Sequence, residues 1–444
     1  MSMVWAFSPR ARRLAGGCAM LAATTALSSP ARAQSAADVA ELRSQIETLK
    51  AEQRAAAARI EQLEAALSRV APAPAQSAAA PAAVPPAAAP VQTASAPAAA
   101  PAAATASRLA VSGDLRVRYE ANFGDRDARN RDRSNVRARL RATYGINDWL
   151  TVGGMLSTGD PDDPNSADVT LSSFDDKFPF SLDQVYARMK FGDLQVTLGK
   201  IPQPFVRTDL VWDGDVSPQG ASAAYRIGLP GGGAIKANAL YFPIDESVAG
   251  PDSSMMGGQL AFETAASKLW RLELAAAYYD YRLRSLAGAD AGDFRSNLIS
   301  GGRYVSDFNL FDVIAAVTYG GFGPRWPVRL SGDYVHNFGA RVAGDTGYGV
   351  DLQVGRASKP GDIRFGYGYA QTGVDAVLAA FSHDNTNLAT NYRQHSLSVD
   401  YVTHPNVMLS ATFAHYRPKD PLYAGSNEPM DWLDRARVML LFSF

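Results

Sequence analysis

Cysteine is nearly absent: Cys18 is the only one in 444 residues, so no disulfide can brace the fold. Histidine is scarce too. The five residues His336, His383, His395, His404 and His415 show no metal-binding spacing and no adjacent nucleophile motif, so no catalytic set, metal site or cofactor is expected, and no enzyme. Excess charge of either sign is missing: 43 basic residues face 44 acidic ones, a net charge of −1, which removes the electrostatic basis for binding nucleic acid. Long hydrophobic runs are missing as well. Beyond the first thirty residues no stretch of 18 apolar residues occurs, so any crossing of a bilayer must use strands rather than helices.

What is present is distributed unevenly. Residues 1–33 place Arg10, Arg12 and Arg13 ahead of an apolar run from Leu14 to Leu27 and an Ala31-Arg32-Ala33 site, the order of a secretory signal peptide cut after Ala33. Cys18 follows Gly16-Gly17 but precedes most of the apolar run, which argues against a lipid anchor there. Cleavage would leave a chain of net charge −5 without cysteine.

Within residues 34–70, Val39, Leu42, Ile46, Leu49, Gln53, Ala56, Ile60, Leu63, Leu67 and Val70 alternate steps of three and four, which predicts an α-helical coiled coil placed in the periplasm. The alternative is a single amphipathic helix lying on its own protein, but the stripe is a narrow seam. Residues 71–106 contain 20 Ala and 8 Pro and read as a linker that cannot form a continuous helix.

From Leu109 the period becomes two. Leu109, Val111, Leu115, Val117 and Tyr119 share one parity, while Ser112, Asp114, Arg116, Arg118 and Glu120 share the other; Val136 to Ile146 repeats the pattern against Arg137, Arg139 and Arg141. Connections alternate as well. Short ones fall at Asn147-Asp148, Gly192-Asp193, 230–233, 265–269, 321–326, 357–360 and 404–406; long ones fall at 121–134, 158–180, 201–218, 243–254, 283–308, 338–346, 373–391 and 417–431. Seven short turns and eight long loops join sixteen strands, which predicts a sixteen-stranded antiparallel transmembrane β-barrel over 107–444. A further strand at 297–306 would make the number odd, so those residues are assigned to a loop.

Aromatics mark the strand ends. Tyr144, Trp149, Trp270, Tyr319 and Trp326 lie near short turns, and Tyr119, Tyr241 and Tyr278 near long loops, as two interfacial girdles would require. Val438, Leu440, Phe442 and Phe444 alternate up to a terminal phenylalanine, an expected signal for the barrel-assembly machinery, with Arg435, Arg437 and Ser443 on the other parity.

The runs SGDLRVRYE (112–120), SNVRARLRATYGINDW (134–149), LDQVYARMKF (182–191), LQVTLGKIPQPF (194–205), TDLVWDGDVSPQG (208–220) and YVSDFNLFDV (304–313) resemble the putative-porin family of Gram-negative outer membranes. Phosphate-selective porins are a more distant similarity, with sixteen strands and a coiled coil ahead of the barrel. The resemblance implies an outer-membrane diffusion channel embedded in lipid and lipopolysaccharide, and a trimer.

With the apolar parity toward lipid, Arg116, Arg118, Arg137, Arg139, Arg141, Arg188, Lys190, Arg435 and Arg437 line the pore; closure of the first strand on the last would join them in one basic wall. Pairing with Asp114, Glu120 and other lumenal acids is the alternative use of these arginines. The candidate constriction is loop 201–218, fixed by Pro202, Pro204, Gly214 and Pro218 and carrying Asp209, Asp213 and Asp215 against Arg207. Facing the wall, it would set up a transverse field favouring small polar or zwitterionic solutes, with weak choice between ion signs. A loop covering only the rim is the alternative. Asp160, Asp162, Asp163 and Asp168 match no defined calcium loop and read as a solvated acidic loop. The expected function is a water-filled, weakly selective channel for passive diffusion. The competing readings are a phosphate- or anion-selective porin, and an envelope tether whose coiled coil grips the cell wall or a partner.

Overall fold

The computed structural model describes residues 108–444 except 125–129, 172–176, 249, 267–268, 287–288, 290 and 425–429. The expected signal peptide (1–33), coiled coil (34–70) and linker (71–106) lie outside the described residues. Sixteen spanning strands form one antiparallel sheet that closes on itself. In chain order they are β1 (Leu109–Gly124), β2 (Arg131–Gly145), β3 (Leu150–Thr158), β4 (Phe180–Phe191), β5 (Leu194–Lys200), β6 (Gln219–Gly228), β7 (Ala234–Asp245) and β8 (Ser253–Glu263). The second half comprises β9 (Trp270–Arg282), β10 (Phe308–Tyr319), β11 (Val328–Asn337), β12 (Thr346–Gly355), β13 (Ile363–Thr372), β14 (Tyr392–His404), β15 (Val407–Pro418) and β16 (Leu433–Ser443).

Each strand pairs with its chain neighbours, and β1 pairs with β16 from Asp114↔Ser443 to Gly124↔Leu433, so the sheet has no free edge. Gly113 is required at this seam. A Cβ there would lie 2.3 Å from the Phe444 ring and 2.5 Å from the Arg139 carbonyl oxygen, while the Gly113 N–H donates to the Phe444 carbonyl at 2.8 Å.

The strand count matches the sequence reading because lipid outside and water inside reverse at every residue, the strongest period-two signal a strand can carry. On β1, outward Leu115, Val117 and Tyr119 are 38%, 42% and 48% exposed, whereas inward Arg118 and Glu120 are buried. The girdle residues Tyr144, Trp149 and Trp270 at the short turns, and Tyr119, Tyr241 and Tyr278 at the long loops, all stand exposed on the outer face. Val438, Leu440, Phe442 and Phe444 face outward on β16.

The first long connection is shorter than expected, since β1 runs to Gly124 and β2 starts at Arg131. Residues within 297–306 stay out of the barrel, as expected; they form a two-residue hairpin, Ile299–Ser300 with Arg303–Tyr304. Helix among the described residues is confined to single turns at Ala291–Phe294 and Pro421–Tyr423.

Candidate pore constriction

The arginine wall is built by register. Arg116 stands opposite Arg137 across β1 and β2, Asp114 opposite Arg139, and Glu120 between Arg133 of β2 and Arg437 of β16. Like charges side by side repel unless carboxylates are interleaved, and two acids on β1 serve that purpose. Asp114 accepts from Arg137 at 2.9 Å, Arg139 at 2.9 Å and Arg141 at 3.1 Å. Glu120, fully buried, accepts from Arg133 at 2.9 Å and Arg437 at 2.6 Å. Arg435 donates to Asn122 at 2.6 Å and to the Asn385 carbonyl at 2.9 Å.

Arg188 and Lys190 sit apart from this cluster, on the lumenal parity of β4. Arg188 covers the ring of Tyr186 at 5.1 Å, and Lys190, opposite Gln195, is exposed. The basic residues therefore do not form one continuous wall. Seven of the nine gather on β16, β1 and β2, where closure of the barrel brings them together.

Loop 201–218 runs inward from paired glycines. Gly199 and Gly220 face each other in register, both with φ of +119°, and a Cβ on either would lie 2.2 Å from a neighbouring carbonyl oxygen. The strands can bend there only because these positions lack side chains. From this hinge the loop touches opposite parts of the barrel. Asp215 pairs with Arg139 at 2.7 Å and Arg137 at 3.5 Å, the Val206 N–H donates to Gln259 of β8 at 2.8 Å, and Thr208 donates to Asp333 of β11.

The three loop acids differ in state. Asp209 is half-exposed and pairs with Arg207 at 3.0 Å. Asp213 is buried and accepts the Asp215 N–H at 2.8 Å; burial first, then the nearby charges of Asp209, Asp384 and Asp215, push its carboxyl well above the usual range. Burial also raises Asp215, but Arg137, Arg139 and Arg116 outweigh it and hold the group ionised. Because Asp213 is pushed toward its neutral form, the acidic side of the expected transverse field rests less on this carboxylate than the sequence suggests.

A second inward loop was not anticipated. Residues 374–382, VDAVLAAFS, are all buried. Phe381 stacks on Trp212 with centroids 5.7 Å apart and rings 14° from parallel, and its carbonyl accepts the Asp213 N–H at 2.8 Å. Phe205, Tyr279, Tyr281, Phe242 and Phe308 complete this apolar cluster inside the barrel. Loop 283–307 fixes it from above: Arg295 donates to the Ala379, Ser382 and His383 carbonyls at 3.0–3.2 Å, and the Asp375 carboxylate accepts from Ser306 at 2.7 Å. Asn165 and Asp168, in the connection after β3, point inward as well. Asp168 accepts from Arg116 at 2.6 Å and also pairs with Arg118, so it is buried against the wall, not solvated as expected; Asp160 and Asp162 are exposed.

Two cavities lie inside the barrel beside the inward loops. The inner one, about 710 Å³ on the short-turn side, is lined by nine arginines, among them Arg116, Arg118, Arg271, Arg329, Arg364 and Arg437, against Asp209, Glu273, Asp333 and Asp351. The outer one, about 670 Å³ beneath the long loops, is lined by seven aspartates, including Asp160, Asp162, Asp183, Asp215 and Asp245, against Lys200. Charge is thus separated along the pore axis as well as across it. Arg137 and Arg139 line neither cavity but meet Asp215 at the edge of the outer one.

Residues 125–288 match the model of a family described as putative porin. The resemblance is to the putative porins. No curated protein matches the chain significantly. Among solved structures, OprB of Pseudomonas putida at high pH is similar, with 14% identity, 76% of this chain and 94% of that chain covered, and a TM-score of 0.51. OmpF of Salmonella typhi in complex with daunomycin is 13% identical over 76% of this chain and 97% of its own, with a TM-score of 0.47. At such identities the likeness is one of fold.

Against this porin-like frame, sequence reasoning missed the residues that shape the chambers: Asp168, Arg295, Asp375, Phe381 and the run 374–382. One signal was available. An apolar stretch without period two, inside a loop polar at its ends, has to be buried somewhere, and in a barrel the place away from lipid is the lumen.

Proposed function

We propose that this protein is an outer-membrane porin, a water-filled channel through which small polar solutes and ions diffuse passively with weak selectivity. The observation that carries the reading is the closed barrel with an apolar exterior and a charged interior holding two solvent chambers. The family match and the fold are those of outer-membrane channels. Carboxylates interleaved with arginines at the narrowing offset part of the basic charge there, which lowers the barrier to cations, and apolar solutes are disfavoured.

A trimer, assembly through the barrel-assembly machinery and contact with lipopolysaccharide follow from the resemblance and belong to the same proposal. A second reading, preference for anions, is favoured by the inner chamber, where nine arginines outnumber four acids. Swelling of proteoliposomes separates the two. Uptake of small neutral sugars at rates comparable to small organic anions supports the weakly selective channel. Uptake of anions alone establishes the selective one, and no uptake of any solute contradicts both.

A further inference from the structure

The outer face of β13–β16 carries an uneven ladder. Reading across the four strands from the short-turn side upward, one row is Phe365, Val399, Ala411 and Val438, and the next is Tyr367, Leu397, Phe413 and Ala436. Both rows suit hydrocarbon. One step higher the row is Tyr369, His395, His415 and Asp434, and one step beyond that Arg393 stands directly opposite Arg417.

No acid occupies the Arg393–Arg417 row on β13 or β14; the neighbour of Arg393 on β13 is Gln371. The Nε of each arginine is buried without a hydrogen-bond partner among the described residues. The Arg417 guanidinium is oriented by Trp432, 4.8 Å from the ring, and Trp432 in turn stacks on His415 at 3.9 Å, whose ring contacts Asp434 at 2.6 Å. Asp434, the outward carboxylate one row below, is engaged by His415. Two guanidinium groups held side by side at a membrane boundary repel each other unless an anion lies between them.

We infer that the Arg393–Arg417 pair, on the long-loop rim of the barrel's outer face, is a binding site for the phosphate of an outer-leaflet lipid headgroup. The inference rests on the placement of the barrel in an outer membrane. Phosphate suits the site because its oxygens accept from two forks at once, while the apolar rows below receive the acyl chains and Trp432 sits at headgroup depth.

The test is native mass spectrometry of the full-length protein in detergent, titrated with diphosphoryl lipid A, with phosphatidylcholine and inorganic pyrophosphate as separate probes. The expected result is retention of lipid A in preference to phosphatidylcholine, weakened about 25-fold in Arg393→Gln/Arg417→Gln at roughly fivefold for each charge removed. These residues face away from the lumen, so channel current of the variant should equal that of the parent, which also shows that it has folded. Undiminished lipid A binding by the variant would overturn the proposal. So would displacement of lipid A by equimolar pyrophosphate, which would mark a site for free anions, or occupation of this face by a second copy, seen as a dimer that the double substitution dissolves. Absence of current in both proteins, with lipid binding intact, would count against the channel and not against this site.

Discussion

Asp215 and Asp213 lie two positions apart on the same loop, yet one is an ion-pair partner and the other is driven toward neutrality. Replacing Asp215 by Ala leaves Arg137 and Arg139 sharing Asp114 alone and unties the loop from the wall. The expected cost is about 1–3 kcal/mol, below that of a fully buried pair because Asp215 is partly exposed, with a rise in single-channel conductance as the loop detaches. Asp213 predicts a pH effect of definite sign. Its raised pKa means that the packed loop holds the proton more tightly than the unpacked chain does. Packing is then strongest at acidic pH and weakens as pH rises above the ordinary carboxylate range. Asp213→Asn should flatten this dependence and raise the heat-denaturation midpoint at alkaline pH; an unchanged pH profile would refute the assignment. The face of its strand on which each basic wall residue stands was legible from parity, whereas the separation of Arg188 and Lys190 from the rest was not. The pairing of the wall arginines was not legible either, because which carboxylate meets which guanidinium depends on strand register and on loops distant in sequence.

At the scale of elements, strands were legible and inward loops only half so. Loop 201–218 stood out through its prolines, its glycine and three aspartates against one arginine, whereas 373–391 was recognised only as a connection. Its residues become buried through contacts with loops 201–218 and 283–307, and such contacts leave no local period in the sequence. Phe381→Ala tests the partnership by removing the stack on Trp212. The loop cluster should lose about 3 kcal/mol, visible as faster proteolysis within 374–382 while the barrel stays intact. Resistance equal to the parent would show that Phe381 does not hold the cluster. The final strand gives a separate prediction. Deleting Phe444 removes the backbone pair with Gly113 that closes the end of the seam, and the yield of heat-modifiable, folded barrel should fall severalfold relative to the full chain.

For the whole molecule, a near-zero net charge conceals strong internal separation: apolar and charged parities across the wall, and an acidic outer chamber set over a basic inner one. In the proposed channel the inward loops narrow the path between these chambers, and interleaved carboxylates partly offset the arginines there. Conduction of ions through the full-length protein in a planar bilayer, read as single-channel current and as reversal potential in a salt gradient, tests this most directly. The account predicts steady ohmic current with a reversal potential close to zero, and larger current for Asp215→Ala. Absence of current from folded, inserted protein would contradict it.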